Sequence, residues 1–69
     1  MTRQEFREHA SVLPVQINGV PLGAVAKEFS TGSLGWNISQ KMDVLVNGQP
    51  QKVQVGLNLT IVGSKELPQ

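Results

Sequence analysis

Residues 34–62 read LGWNISQKMDVLVNGQPQKVQVGLNLTIV. Apolar side chains occupy most even positions in residues 34–46 and every odd position in residues 53–61. Alternation with a period of two is typical of a strand with one buried face and one face in water. Asn47-Gly48 lies between the two runs and favours a type I′ turn, because both residues tolerate a positive φ. The stretch therefore predicts a β-hairpin.

The two-residue loop also sets a register that the side chains can test. With Asn47-Gly48 as the loop, Trp36 faces Leu59, and Asp43 faces Lys52 as an ion pair on the opposite face. A slip by one residue would place apolar residues opposite polar ones. The predicted apolar pairs are Met42–Val53, Ile38–Leu57, Trp36–Leu59 and Leu34–Ile61.

A second hairpin is predicted upstream by an internal repeat. VQINGVP at residues 15–21 parallels VLVNGQP at residues 44–50, so Asn18-Gly19 is the expected turn. Pro14 lacks a backbone N–H and places the first strand at a sheet edge. The predicted pairs in this hairpin are Val15–Leu22, Leu13–Ala24 and Val12–Val25.

The predicted fold is all-β, a four-stranded antiparallel meander of two Asn-Gly hairpins that could curl into a small barrel or sandwich. Thr2 and Glu5 match a capping box, so the N-terminus is either a short helix or a frayed arm. Residues 1–69 are expected to form one small domain. Its parts are an arm or helix (1–11), a first hairpin (12–29), a linker (30–35), a second hairpin (36–63) and a tail (64–69).

Composition argues against most catalytic and metal chemistry. The chain has no cysteine and one histidine, so we expect no thiolate nucleophile, metal site or cofactor. His9 and Asp43 are read as surface residues, because no serine–histidine or paired-carboxylate arrangement accompanies them. We therefore expect a non-enzymatic protein. A polar N-terminus without an apolar run predicts a cytoplasmic location and no membrane association.

The linker between the hairpins is a candidate ligand loop. Backbone amides in a loop rich in glycine can form an anion-binding nest. The residues of this possible anion loop are Ser30, Thr31, Gly32, Ser33 and Gly35. A crossover that needs glycine for its turns is the favoured interpretation, since the loop lacks the lysine and spacing of a phosphate-binding P-loop.

The leading functional hypothesis is a protein-interaction or assembly module that binds itself or a larger protein. A long strand with a polar, nearly uncharged face, in a chain with a thin core, would be stabilised by pairing with another surface. The proposed face consists of Asn37, Leu45, Gln54, Asn58, Thr60 and Val62. The alternative is a small β-barrel that binds nucleic acid through Lys27, Lys41, Lys52 and Lys65.

Two stretches of the chain also carry a resemblance. FSTGSLGW at residues 29–36 and VQVGLNLTIVGSK at residues 53–65 resemble small conserved cyanobacterial proteins of unknown function. The resemblance covers about the last two-thirds of the chain. It implies an intracellular, photosynthesis-associated setting and transfers no catalytic residues.

Overall fold

The fold is an open antiparallel meander. The computed structural model describes residues 1–68, and its four strands form one sheet in the order β1-β2-β3-β4. This confirms the predicted all-β meander with a short N-terminal helix. Within the described residues β1 and β4 do not pair with each other, so the sheet does not close into a barrel. The elements are α1 (Arg3–His9), β1 (Leu13–Ile17), β2 (Val20–Glu28), β3 (Leu34–Val46), β4 (Gln49–Thr60) and a 3₁₀ turn (Ser64–Glu66).

The predicted register of the second hairpin is confirmed. Trp36 lies opposite Leu59 and Asp43 opposite Lys52. Asn47 and Gly48 have φ of 52° and 76°, the left-handed values that a type I′ turn needs. The same pattern holds around the first turn, where β1 and β2 pair in the predicted register. β1 is also an edge strand, as Pro14 predicts.

One predicted pair does not form, because β2 changes partner part-way along its length. Its ladder with β1 ends where Leu13 meets Ala24, and Val25 pairs with Asn37 of β3 rather than with Val12. Residues 20–24 of β2 thus pair with β1, and residues 25–28 pair with β3. The first hairpin is therefore free to leave the plane of the second.

The core forms where the first hairpin packs over one face of the second. Leu22 and Ala24 of β2 join Ile38, Met42 and Val55 in one buried cluster. Partly buried residues of β1 and of the second hairpin pack around this cluster. We call this side of the second hairpin, which carries the even positions of β3 and the odd positions of β4, the inner face.

The N-terminal helix is stabilised by its cap and by an aromatic contact. The hydroxyl of Thr2 accepts from the Glu5 backbone N–H at 3.0 Å, and the Glu5 carboxylate accepts from the Thr2 backbone N–H at 2.9 Å. Phe6 is buried and meets Trp36 edge to face, with ring centroids 5.6 Å apart. A helix of this length needs such tertiary support, which explains why the terminus is not frayed.

Arg3 connects both ends of the chain. Its side chain is buried and donates to the carbonyl oxygens of Gly32 at 2.8 Å, Pro68 at 3.0 Å and Leu67 at 3.1 Å. Ser64, also buried, accepts from the backbone N–H of Leu34 at 2.8 Å. These bonds hold α1, the β2–β3 loop and the C-terminal turn together.

Candidate interaction surface

The outer edge of β4 is an unpaired row of backbone groups. In an antiparallel strand the N–H and C=O of successive residues point alternately to the two neighbours. The Ile61 N–H donates to the Leu34 carbonyl at 2.9 Å, so odd-numbered residues of β4 face β3 and even-numbered residues face away. Within residues 1–68 no strand pairs with this outer side. The outward N–H groups belong to Lys52, Gln54, Gly56, Asn58 and Thr60, because Pro50 has none.

An apolar row on the inner face runs along this edge. Val55 is buried in the core, whereas Leu57 and Leu59 remain 39% and 37% exposed. Ile61 continues the row just beyond the strand and is half-buried. We define the β4 edge as the backbone of residues 52–60 together with the side chains of Leu57 and Leu59. It combines unpaired hydrogen-bonding groups with apolar surface.

The apolar row ends beside a shallow groove under the N-terminal helix. Met1, Phe6 and Ala10 line one side of it, and Trp36 and Ile61 line the other. The groove has a volume of about 310 Å³ and is open to solvent. Trp36 is half-buried here, and its indole N–H donates to the Ser11 carbonyl at 2.8 Å. It therefore packs against the core, while one side borders the groove.

Four of the six residues predicted as an interaction face lie together on the outer face of the second hairpin. Asn37 lies opposite Asn58, and the Asn37 amide donates to Asn58 Oδ1 at 2.8 Å. Thr60 and Gln54 occupy even positions of β4 on the same face. These polar side chains flank the β4 edge on the side away from the core.

The other two residues of that predicted face lie far apart. Leu45 is 72% exposed and pairs with Pro50 beside the Asn47-Gly48 turn. Val62 is 98% exposed and follows the other end of β4. A strand rise of about 3.3 Å per residue puts them roughly 35 Å apart. The six residues therefore do not form one compact patch.

Strand β1 forms the other edge of the sheet, and it is protected against pairing with a further strand in ways that the β4 edge is not. β1 has five residues, and Pro14 removes one of its outward N–H groups. β4 has twelve residues, with Pro50 and Lys52 at one end and no charged residue from Val53 to Thr60. Proline, charge and short length are the usual protections of edge strands. Most of the β4 edge has none of them.

Three backbone groups of the possible anion loop take part in hydrogen bonds within the protein. The Gly32 N–H donates to the Phe29 carbonyl at 2.9 Å, and the Gly32 carbonyl accepts from Arg3. Gly35 is not in the loop, because it lies within β3 and pairs with Lys27 and Thr60. Ser33 is half-buried, and its carbonyl accepts from the Phe29 N–H at 2.8 Å; Ser30 and Thr31 are exposed. The geometry agrees with a crossover.

The four lysines of the nucleic-acid alternative lie on four different elements. Lys27 is on β2, with its ammonium group 5.4 Å from the centre of the Phe29 ring. Lys52 pairs with Asp43 at 3.5 Å, as predicted, and both side chains are well exposed. Lys41 lies opposite Gln54, and Lys65 is in the 3₁₀ turn. The registers place Lys27, Lys41 and Lys52 on the outer face, but Lys27 lies opposite Gly35, six residues and thus about 20 Å along β3 from Lys41. The lysines therefore form no compact cluster.

Three described side chains have a shifted pKa, and each shift comes from a structural contact. The hydrogen bond from Arg7 lowers the pKa of Glu28, and the same contact raises the pKa of Arg7. The hydrogen bonds of the capping box lower the pKa of Glu5. Among the described residues, no group of three or more His, Cys, Asp or Glu could hold a metal ion, and no helix is long and apolar enough to span a membrane.

Comparisons with protein-family models, curated proteins and solved structures found no match to this chain. The resemblance to small cyanobacterial proteins therefore stays a prediction.

Proposed function

We propose that this chain is a non-enzymatic interaction module that binds a protein partner by adding the partner's strand to the β4 edge. The observation that supports this most directly is the unpaired backbone from residue 52 to residue 60, flanked by the exposed side chains of Leu57 and Leu59. Strand addition to an open sheet edge is a recurring mode of protein recognition.

The β4 edge offers both components that this mode needs. The outward N–H and C=O groups supply main-chain hydrogen bonds, and alternate side chains supply selectivity. Full burial of a leucine side chain contributes about 1.5–3 kcal/mol. Because Leu57 and Leu59 are already more than half buried, covering their exposed parts would contribute roughly 1 kcal/mol each. Asn58 and Thr60 add polar contacts on the outer face. An apolar or amphipathic extended segment is therefore the kind of partner that fits.

The test is affinity capture from the native cell lysate with two variants at Gly56. The Gly56 N–H faces outward, so Gly56→Pro removes an edge donor and adds a ring without breaking the β3–β4 ladder. Gly56→Ala is the matched control, because it keeps the N–H and its methyl group meets no atom within 4 Å. A partner that is retained by Gly56→Ala and lost by Gly56→Pro supports the proposal.

Two results would count against it. A protein partner captured equally by both variants would place binding elsewhere on the surface. Nucleic acid captured at low salt and released at high salt would support the nucleic-acid alternative instead, because phosphate contacts weaken steeply as salt rises. Circular dichroism of the variants checks that each keeps the β fold.

A further inference from the structure

The chain exposes more surface than a compact monomer of its mass. Its accessible surface is 5025 Å², whereas the scaling for folded monomers gives roughly 4,200 Å² at 7.5 kDa. The radius of gyration is 15.0 Å, against about 11 Å for a compact domain of this length. The excess of about 800 Å² equals what each partner buries in a standard protein–protein interface. The molecule is elongated, with extents of 50 × 21 × 15 Å, and has enough unburied surface for one standard interface.

We propose that the strand that covers the β4 edge comes from a second copy of this chain, so that two β4 strands pair antiparallel across a two-fold axis at Leu57. This inference rests on the proposed function and names its partner. The two sheets would join into one continuous eight-stranded sheet, with both first hairpins on the same side. Such a contact is isologous and closes after two subunits.

The side chains of β4 are complementary to themselves in this register. Leu57 meets the Leu57 of the second copy on the axis, and Val55 faces Leu59 on both sides of it. These residues are all apolar and all on the inner face. On the outer face Gly56 faces Asn58 and Gln54 faces Thr60, so polar or small residues meet one another. The pairing brings no charged side chain opposite another.

The backbone is equally compatible with the two-fold pairing. Even-numbered residues of β4 point their N–H and C=O groups outward, and in this register each even residue meets another even residue. From Gln54 to Thr60 the two strands would form about eight hydrogen bonds between the copies. The odd-numbered pairs, including Leu57 with its counterpart, are then non-hydrogen-bonded pairs, in which Cα atoms approach to about 4.5 Å.

Electrostatics offer little resistance to two copies pairing at this edge. The net charge of the chain is +1, so two copies repel each other only weakly. The segment from Val53 to Thr60 is uncharged, and Lys52 lies outside the paired residues Gln54 to Thr60. The edge of β1 offers no such run, because Pro14 interrupts it. Residues 38–46 of β3 also lack a strand partner on the side away from β4, but Lys41 and Asp43 place charges there. Among the unpaired edges of residues 1–68, the β4 edge is the long one that carries no charge from Val53 to Thr60.

The chain has no cysteine, so engineered thiols test the geometry without interference. In the proposed dimer, Leu57→Cys places two sulfur-bearing residues at a Cα separation suited to a disulfide. Leu45→Cys is the matched control, because Leu45 is more exposed but lies near the far turn. Under mild oxidation we expect Leu57→Cys to form the covalent dimer at least about tenfold faster than Leu45→Cys, as pre-association raises the effective concentration. Oxidised glutathione serves as the probe oxidant, which takes up the two electrons and is reduced to two glutathione thiols.

A second disulfide experiment tests the register of the two β4 strands. A mixture of Val55→Cys and Leu59→Cys chains should yield mainly the mixed disulfide, because these residues face each other across the axis. Equal amounts of mixed and like-with-like products would overturn the register. Equal oxidation rates for Leu57→Cys and Leu45→Cys would overturn the dimer.

Light scattering of the cysteine-free chain separates this inference from the proposed function. A mass that doubles as concentration rises, and stays monomeric in Gly56→Pro but not in Gly56→Ala, supports both. A chain that is monomeric at every concentration, yet captures a different protein through the β4 edge, overturns the dimer and keeps the proposed function. A dimer that forms equally well with Gly56→Pro overturns the pairing of two β4 strands, and the capture test then decides the proposed function alone.

Discussion

A side chain on Gly35 would occupy space already filled by the backbone of Leu59. A Cβ built on Gly35 would overlap the Leu59 carbonyl oxygen and would lie 2.9 Å from the carbonyl carbon. Gly35 pairs with β2 on one side and with β4 on the other, near the start of β3. The absence of a side chain therefore lets β4 approach at the place where three strands meet.

Gly35→Ala should consequently destabilise the fold strongly. The obstacle is backbone rather than a flexible side chain, so relief requires β4 to move, and overpacking of this kind costs about 1–3 kcal/mol or more. We expect the free energy of unfolding, measured by urea denaturation, to fall by at least about 2 kcal/mol. Gly56→Ala is the control, with a change within about 1 kcal/mol. Equal midpoints for the two variants would contradict this account.

The clamp around Arg3 gives a second prediction about stability. Arg3→Met keeps an unbranched side chain about as long as the arginine stem and removes the guanidinium with its hydrogen bonds to Gly32, Leu67 and Pro68. Hydrogen bonds to charged groups typically contribute about 1.5–3 kcal/mol, so we expect a loss of about 2–3 kcal/mol in urea denaturation. Arg3→Lys should restore only part of it, because lysine lacks the planar fork of donors.

The matched control for Arg3 is Arg7, four residues further along the same helix. Arg7 is exposed and binds Glu28 at 2.9 Å. Exposed ion pairs contribute roughly 0–1 kcal/mol, so Arg7→Met should have a small effect. If Arg3→Met and Arg7→Met lowered the urea midpoint equally, the carbonyl clamp would have no special role.

The local features of the fold could be predicted from the sequence. Asn18-Gly19 and Asn47-Gly48 determine their turns through positive φ, and the alternation of side chains then selects the register. Both depend on residues close together in the chain. The same reasoning found the ion pair of Asp43 and Lys52, because a correct register brings cross-strand neighbours together.

The features that could not be predicted depend on how distant parts of the chain meet. Arg3 reads as a surface residue of a short helix, and its acceptors Leu67 and Pro68 are more than sixty positions away. The partner change of β2 at Val25 follows from the folding of one hairpin over the other, which no local pattern encodes. The proposed face combined Leu45 and Val62 by face alone, although the length of β4 separates them. The β4 edge emerges only from the strand order.

Stability should depend on pH through Glu28. The hydrogen bond from Arg7 lowers the pKa of Glu28 in the folded state below its ordinary value of 4.5. The unfolded chain therefore takes up the proton at a higher pH than the folded chain does. It follows that the contribution of this contact is present above about pH 4.5 and is lost as pH falls through the lowered pKa. Thermal melts from pH 6 to pH 2.5 measure it.

The contribution of Glu28 can be isolated with Arg7→Gln. Without the guanidinium, the pKa of Glu28 returns towards its ordinary value, so the variant should lose less stability than the natural chain between pH 4.5 and pH 2.5. Lys41→Gln removes an exposed positive charge elsewhere and should follow the natural chain. If stability fell with pH in the same way for Arg7→Gln and for the natural chain, the contact between Arg7 and Glu28 would not cause the loss of stability at low pH. The capping-box carboxylate of Glu5 has a lowered pKa too and contributes to the slope of both curves.

Charge exchange at Leu57 gives the sharpest test of the two-fold pairing. In the proposed dimer each Leu57 meets its own counterpart, so Leu57→Lys brings two positive charges together and Leu57→Glu two negative ones. Like charges directly opposite each other on paired strands are destabilising. We therefore expect either variant alone to be monomeric by light scattering at concentrations where the natural chain is dimeric.

An equal mixture of the two variants should associate again, since lysine then faces glutamate across the axis. Recovery should weaken as salt is added, because an exposed pair is screened. Only a residue that lies on the axis shows this behaviour: at an off-axis position, the substituted side chain would face a different, unchanged residue, and mixing would restore nothing. The same exchange at Leu45, as Leu45→Lys and Leu45→Glu, is the control and should leave the dimer intact in each case. Dimers of Leu57→Lys as stable as those of the natural chain would place the contact elsewhere.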